Sequence, residues 1–208
     1  AVRRSREIIK DFLGANDSKE ILFTFCGSES ANTAIKGTLE LNRAKKHLIT
    51  TKVEHPCVLN LHKDLEKKGY KVDYTGVDSN GDLDVNELIS KVDKDTALVS
   101  VMYANNETGA IFPVEEIAAK VKEINPDTKI FVDAVQAAGK IPVNVKDTKI
   151  DFMGISAHKF HGPKGIGALY VKQGTMVSPL IIGGHQERGK RAGTENVPYI
   201  VGMAEAAK

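Results

Sequence analysis

Short apolar runs alternate with longer segments of helical periodicity along the whole chain. Parallel strands need a crossover between them, and in α/β proteins that crossover is a helix. The order therefore predicts an α/β fold with a mostly parallel, seven-stranded sheet and helices on both faces. The predicted strands are Ile21–Phe25, His47–Thr50, Tyr70–Tyr74, Ala97–Val101, Lys129–Val132, Phe152–Ser156 and Ala168–Val171. The predicted helices are Glu29–Asn42, Pro56–Lys68, Val85–Val92 and Val114–Ile124.

Composition and charge argue against several classes of partner. The net charge of +2 gives no support for nucleic-acid binding. No apolar run approaches the ~20 residues that span a bilayer. We therefore expect neither nucleic acid nor a membrane among the partners. Cys26 and Cys57 show neither a CxxC pair nor a metal-ligand spacing, which predicts no metal site and a reducing, cytoplasmic setting.

The segment IDFMGISAHKFHGPKGIGALYV carries the most chemical information. It is typical of a buried strand that ends in a His-Lys pair, followed by a turn rich in Gly and Pro and a second strand. Lys159 then lies at the carboxyl end of a strand, where open α/β sheets bind their ligands. A lysine in that place is a candidate for Schiff-base chemistry. Taken alone, a lysine in such a place is more often an ordinary surface lysine in a loop.

Polar groups that could bind a ligand follow other strands as well. Gly27 and Ser28 open a helix after the first strand, where free N–H groups can bind an anion. His55 follows the second strand, and Asn106 lies in the loop after the fourth. Asp133 follows the fifth, where a carboxylate is unfavourable to bury without a partner. A capped turn, a surface histidine, a turn-forming amide and an exposed carboxylate remain open alternatives for these residues taken singly.

Together these groups match the needs of one cofactor. They offer an anion cradle, a flat ring, an acid for a ring nitrogen and an amine for an aldehyde, which is what pyridoxal 5'-phosphate (PLP) requires. The Gly-rich loop GGHQERGKRAGTEN adds Arg188, Arg191 and Thr194. That loop could clamp an anion, reach a neighbouring subunit or be a plain basic loop.

Six segments carry a resemblance to a known family. They are FTFCGSESANTAIKG, VEHPCVL, MYANNETGAIFPV, FVDAVQAAGKIPV, DFMGISAHKFHGPKGIGALYV and GGHQERGKRAGTENV. In this order they closely resemble the cysteine desulfurases, the NifS-like branch of the class V aminotransferase family. The resemblance implies the large domain of a PLP-dependent transferase of fold type I.

The resemblance also implies roles for the residues around the cofactor ring. Lys159 would form the Schiff base with the cofactor and move protons at the substrate α-carbon. Asp133 would pair with the ring nitrogen, and Gln136 and Asn106 would face the ring hydroxyl. His55 would stack on the ring and act in acid–base steps.

A second group of residues would bind the cofactor phosphate. In the family pattern Gly27, Ser28, Ser156 and His158 bind the phosphate of their own subunit. Thr194 would reach the phosphate of a partner subunit, which implies a homodimer with shared sites.

The implied reaction takes sulfur from L-cysteine, releases L-alanine and leaves an enzyme persulfide. The sulfur would pass to an iron–sulfur scaffold protein, an RNA-thiolation pathway or another acceptor. Two alternatives stay open: a selenocysteine lyase or other class V aminotransferase, and a non-catalytic dimerisation fragment.

The chain also departs from the family pattern. Family members run to nearly twice this length, and their nucleophilic cysteine and carboxylate-binding arginine lie downstream of the residues present here. Both ends break off inside helical patterns. We therefore expect residues 1–208 to be one PLP-binding large domain without its N-terminal segment and C-terminal small domain, and to be inactive alone. Cys26 and Cys57 are expected to be small buried hydrophobic residues.

Overall fold

The computed structural model describes all 208 residues. Seven strands and six α-helices follow one another in the predicted order. The strands are β1 (Ile21–Thr24), β2 (His47–Thr51), β3 (Lys71–Thr75), β4 (Thr96–Met102), β5 (Lys129–Asp133), β6 (Phe152–Ser156) and β7 (Gly167–Val171). The helices are α1 (Val2–Leu13), α2 (Gly27–Leu41), α3 (Pro56–Lys67), α4 (Val85–Ser90), α5 (Val114–Ile124) and α6 (Val197–Ala206).

All seven strands form one sheet in the order β1-β7-β6-β5-β4-β2-β3. Strands β3, β2, β4, β5 and β6 pair in parallel, whereas β7 is antiparallel to both β6 and β1. The prediction of a mostly parallel, seven-stranded sheet is confirmed. Because β1 runs in the same direction as β6, every strand except β7 ends at the same edge of the sheet.

Both faces of the sheet are covered, as predicted. Successive side chains of a strand point to opposite faces, so Phe131 packs in one apolar cluster and Val132 in the other. Helices α2 and α3 cover the face of Phe131 with residues such as Ile35 and Leu61. The other face is covered by α1, α4, α5 and α6. No helix is long and apolar enough to cross a membrane.

Local sequence signals set the starts of the helices near the shared edge. Pro56 occupies the first turn of α3, where its missing N–H is harmless. Asp84 caps α4 by accepting a hydrogen bond from the N–H of Glu87 at 2.8 Å, as the sequence indicates. Helix α2 begins at Gly27 with Cys26 at its cap position, so Ser28 lies inside the first turn and is not the cap.

Candidate active site

A cavity of about 360 Å³ opens at the edge where the parallel strands end. It contains nine of the ten residues that the resemblance assigns to catalysis or cofactor binding, and the tenth, Thr194, lies elsewhere. The nine are Gly27, Ser28, His55, Asn106, Asp133, Gln136, Ser156, His158 and Lys159. Residues far apart in sequence converge here because each follows a strand that ends at this edge.

Lys159 lies in a 3₁₀ turn, Ala157–Phe160, directly after β6. The turn is fixed at both ends, since Ala157 N–H donates to the carbonyl of Ile166 at 3.1 Å and Gly162 N–H donates to the carbonyl of Ala157 at 2.9 Å. The Lys159 side chain is half-buried, lines the cavity and makes no hydrogen bond or ion pair with another residue. Its amine is therefore available to a ligand.

Asp133 is the last residue of β5 and is only 8% exposed. One carboxylate oxygen, Oδ1, accepts a hydrogen bond from the N–H of Val135 at 3.0 Å, and the other makes none. Burial raises the pKa of Asp133, while the N–H of Val135 and the charge of His55 act in the opposite direction. A buried carboxyl group with an unused oxygen is suited to a positively charged or N–H partner in the cavity.

His55 caps helix α3 with its own ring. Its Nδ1 accepts a hydrogen bond from the N–H of Cys57 at 3.2 Å. In the neutral imidazole the proton must therefore be on Nε2. The flat ring lines the cavity and retains Nε2–H for acid–base work.

The start of α2 forms one side of the cavity. The first bond of this helix joins Ser30 N–H to the carbonyl of Cys26 at 3.1 Å. The N–H groups at the preceding helical positions have no carbonyl earlier in the helix to bind. A Cβ added to Gly27 would lie 2.7 Å from Cγ2 of Val135, so any larger residue at this position would displace the Val135 side chain.

Ser156 and His158 complete that side from the neighbouring strand. Ser156 is the last residue of β6, and its Oγ lies 3.0 Å from Nδ1 of His158. Burial lowers the pKa of His158, and the positive charges of Lys159 and Lys164 lower it further. Ser156, His158 and Lys159 thus bring hydroxyl, imidazole and amine groups close to the start of α2.

The two neighbouring asparagines of the loop after β4 have different roles. Asn105 is buried and organises the loop, because its Oδ1 accepts the N–H groups of Glu107 and Thr108, both at 2.9 Å. Asn106 is exposed and lines the cavity. Gln136 also lines the cavity, and its Oε1 accepts a hydrogen bond from Lys140 Nζ.

The expectation that both cysteines are buried hydrophobic residues holds only in part. Cys26 and Cys57 are half-buried, and both line the cavity, although Cys57 also packs against the apolar cluster under α2 and α3. Cys26 precedes α2 and Cys57 lies in the first turn of α3, and both helices start at the cavity. Burial raises the pKa of Cys57 to about 11, and the charge of Asp133 contributes to the increase. Cys57 is therefore a neutral thiol near pH 7 and a weak nucleophile.

Thr194 and the two arginines of the Gly-rich loop lie outside this cavity. Thr194 is exposed and lines a separate cavity of about 210 Å³. Arg191 Nε is 2.8 Å from Glu29 Oε1, and Arg188 donates to the carbonyl of Ile21 at 2.9 Å. Both guanidinium groups therefore fasten the loop to β1 and α2 of the same chain.

Residues that the sequence analysis missed include Met102, Ala104 and Val135, which line the cavity, and Glu54, which is buried beside it. Their common signal is position, since each lies just after a strand or at its end. Glu54 carried one further signal, an acidic side chain directly beside His55 in the VEHPCVL segment. No group of three or more His, Cys, Asp and Glu side chains is placed to hold a metal ion.

Comparison with known families decides the affiliation of the chain. The family described as "Aminotransferase class-V" matches residues 1–208. The chain belongs to the class V aminotransferase family. Members of this family are PLP enzymes, and the sheet has the fold type I arrangement of its structural neighbours.

The similar class V proteins are named cysteine desulfurases. The chain is 57% identical to a cysteine desulfurase of Nostoc sp. over 209 residues, covering 100% of this chain and 51% of the relative. It is 46% identical to the cysteine desulfurase NifS of Azotobacter vinelandii over 208 residues, with 100% and 51% covered. The chain thus spans about half the length of the curated relatives it matches.

Solved structures of similar proteins agree with the fold. A NifS-like protein superposes with a TM-score of 0.96 at 48% identity, covering 99% of this chain and 56% of that one. A structure described as SspA in complex with cysteine gives a TM-score of 0.93 at 41% identity, with 99% and 59% covered.

Proposed function

We propose that the intact protein is a PLP-dependent cysteine desulfurase, which takes sulfur from L-cysteine and releases L-alanine. The observation that carries the proposal is the single cavity that joins Lys159, Asp133 and His55 to the start of α2. The names of the relatives support the same activity. They do not favour a selenocysteine lyase, another class V aminotransferase or a non-catalytic dimerisation fragment.

The chemistry of the cavity fits PLP. The unused oxygen of Asp133 is suited to a protonated ring nitrogen, which would neutralise this buried charge. Gly27, Ser28 and Ser156 offer N–H and hydroxyl groups to a phosphate. When bound, PLP supplies an electron-withdrawing ring that stabilises negative charge at the substrate α-carbon.

Lys159 and His55 are the groups proposed to handle protons. The Lys159 amine has no competing protein partner, so it can bind the cofactor aldehyde and then move a proton at the substrate α-carbon. His55 holds its proton on Nε2 because Cys57 N–H occupies Nδ1. Nε2–H is thus the atom of His55 that can exchange a proton with a ligand in the cavity.

The proposal is tested by product analysis of the intact protein with PLP and L-cysteine. We expect equal amounts of L-alanine and transferred sulfur, and no alanine from Lys159→Ala. Lys164→Ala is the matched control, since Lys164 is exposed and does not line the cavity. Release of a keto acid in place of alanine would assign a transaminase and refute the proposal.

We also propose a homodimer in which Thr194 reaches the phosphate site of the partner subunit. Two features support this. Thr194 is exposed and does not line the candidate active site of its own chain. Large apolar side chains also lie uncovered on the surface, among them Ile182 at 86% and Phe25 at 60% exposure. For the sulfur acceptor we propose an iron–sulfur scaffold protein or another acceptor protein, in the cytoplasm. Relatives named NifS and IscS support the iron–sulfur scaffold.

A further inference from the structure

Glu54 is a buried acidic side chain beside the cavity that the proposed reaction does not use. It is 4% exposed and lies in the turn between β2 and α3, directly before His55. Charged carboxyl groups are rarely buried to this extent without a cation, and no lysine or arginine pairs with Glu54. Its burial therefore requires an explanation.

One oxygen of Glu54 ties together the ends of two strands. Its Oε1 accepts a hydrogen bond from Thr51 Oγ1 and another from the N–H of Met102, both at 2.8 Å. Thr51 ends β2 and Met102 ends β4, which are neighbours in the sheet. Because Met102 and His55 both line the cavity, this contact sets the position of one cavity wall relative to another.

The other oxygen of Glu54 has no partner. Oε2 is buried and makes no hydrogen bond. A negative charge on such an atom would lose its hydration without compensation, so the neutral acid is the stable form. Burial raises the pKa of Glu54 to about 8. The negative charge of Asp133 also raises this pKa, whereas the hydrogen bonds from Met102 and Thr51 lower it.

The titratable groups around Glu54 are few. Asp133 on β5 acts on it electrostatically, and His55 and Cys57 lie at the start of α3. Asp133 and Glu54 would repel each other if both were ionised in this buried region. The arrangement is stable with one carboxylate and one neutral acid.

We propose that Glu54 is a positioning residue of the candidate active site, a neutral acid that holds the His55 turn against the end of β4 and leaves Asp133 as the one negative charge buried beside the cavity. The inference rests on the proposed function for its catalytic meaning. The protonation of Glu54 and its effect on the His55 ring can be measured without cofactor or substrate.

The first test titrates Glu54 in the intact protein by isotope-edited infrared spectroscopy. We expect the protonated carboxyl band of Glu54 to persist at neutral pH and to disappear as the pH rises through about 8. Glu54→Gln should lack the band, whereas Glu116→Gln, which alters an exposed glutamate, should keep it. A Glu54 that ionises near the ordinary value of 4.5 overturns the inference.

The second test follows His55 through nitrogen NMR of its ring. Glu54→Ala removes the acceptor for Met102 N–H, so we expect faster amide exchange at Met102 and a changed proton distribution between Nδ1 and Nε2 of His55. Glu54→Gln keeps a carbonyl acceptor and should restore both signals. Unchanged His55 signals in every variant would refute the positioning role. If Glu54→Ala does not fold, the His55 ring signals of the wild type are followed instead as the pH rises through about 8; they should change as Glu54 ionises, and unchanged signals would refute the positioning role.

The experiments distinguish a failure of the Glu54 inference from a failure of the desulfurase proposal. A wild-type protein that binds no PLP or makes no alanine would refute the desulfurase proposal, whatever the Glu54 titration gives. An active desulfurase with an ionised Glu54 at neutral pH would refute only the present inference.

Discussion

Single side chains at strand ends hold most of the chemistry of this chain. Asp133 and Lys159 could be predicted from sequence because each lies at, or within three residues of, the end of an apolar strand. The surroundings of Glu54 could not, since its partner Met102 is 48 positions away and the contact depends on β2 lying beside β4. The local sequence pattern predicts which residues lie near the end of a strand. Which of them contact each other in the interior depends on the order of the strands in the sheet.

At Lys159 we expect selective covalent labelling. Its amine lines the cavity without a protein partner, whereas Lys164 lies outside it. Borohydride reduction of the PLP-loaded protein, followed by peptide mapping, should place the label on Lys159. Label on Lys164 instead would show that the cavity does not hold the cofactor aldehyde as proposed.

Replacing Asp133 with asparagine should separate binding from chemistry. A neutral amide fits the same buried place but cannot keep a ring nitrogen protonated, so PLP should bind while alanine production falls roughly 100-fold, or about 2.7 kcal/mol in barrier. Asp127→Asn, an exposed aspartate far from the cavity lining, is the matched control. Turnover of the Asp133→Asn enzyme at the wild-type rate would contradict the assigned role.

Glu54 makes the stability of the chain depend on pH. Its pKa in the folded state, about 8, exceeds the ordinary value of 4.5, so the folded protein keeps a proton that the unfolded chain has released. This contribution to stability is fully present below pH 4.5 and is lost as the pH rises through about 8. Denaturant titrations across that range should show the loss in the wild type and a flatter profile in Glu54→Gln. Identical profiles would count against a protonated Glu54.

At the scale of elements, we expect the packing at the start of α2 to affect PLP binding more than the length of the helix does. Gly27 packs against Val135, and an added Cβ would come within 2.7 Å of that side chain. Overpacking of this kind costs about 1–3 kcal/mol, so Gly27→Ala should weaken PLP binding by roughly tenfold. Gly76→Ala is the control, because its new Cβ would meet nothing closer than Lys52 at 3.9 Å. Equal PLP affinities in the two variants, measured by equilibrium titration, would contradict this packing argument.

Element boundaries show where sequence patterns are reliable. Helix α5, Val114–Ile124, has the predicted bounds, since its apolar spacing and Pro113 mark both its face and its start. The antiparallel direction of β7 was not predicted, because its residues Ala168–Val171 look like any buried strand. The sequence did carry a signal for it, because the connection from Ser156 to Gly167 contains no α-helix and is too short for a parallel crossover.

The whole molecule leaves apolar surface uncovered around the Gly-rich loop. Phe25 and Tyr199 both lie beside Gly165, and they are 60% and 43% exposed. If a second copy covers this surface, Tyr199→Asp should convert a dimer to a monomer in sedimentation experiments and weaken PLP binding with it. Ile124→Asp, at a 51% exposed residue on α5, should do neither. A wild-type monomer with full PLP affinity would contradict the shared-site proposal.

The antiparallel strand β7 has a consequence for synthesis on the ribosome. Strand β1 pairs with β7 alone, with Ile21 opposite Tyr170. While the chain emerges, β1 and the anion-binding turn behind it therefore have no strand to join until nearly the whole sheet has been made. Such long-range pairing slows folding and prolongs the exposure of apolar surface. The cavity at the sheet edge is therefore complete only after β6, which leads into Lys159, and β7 have left the exit tunnel.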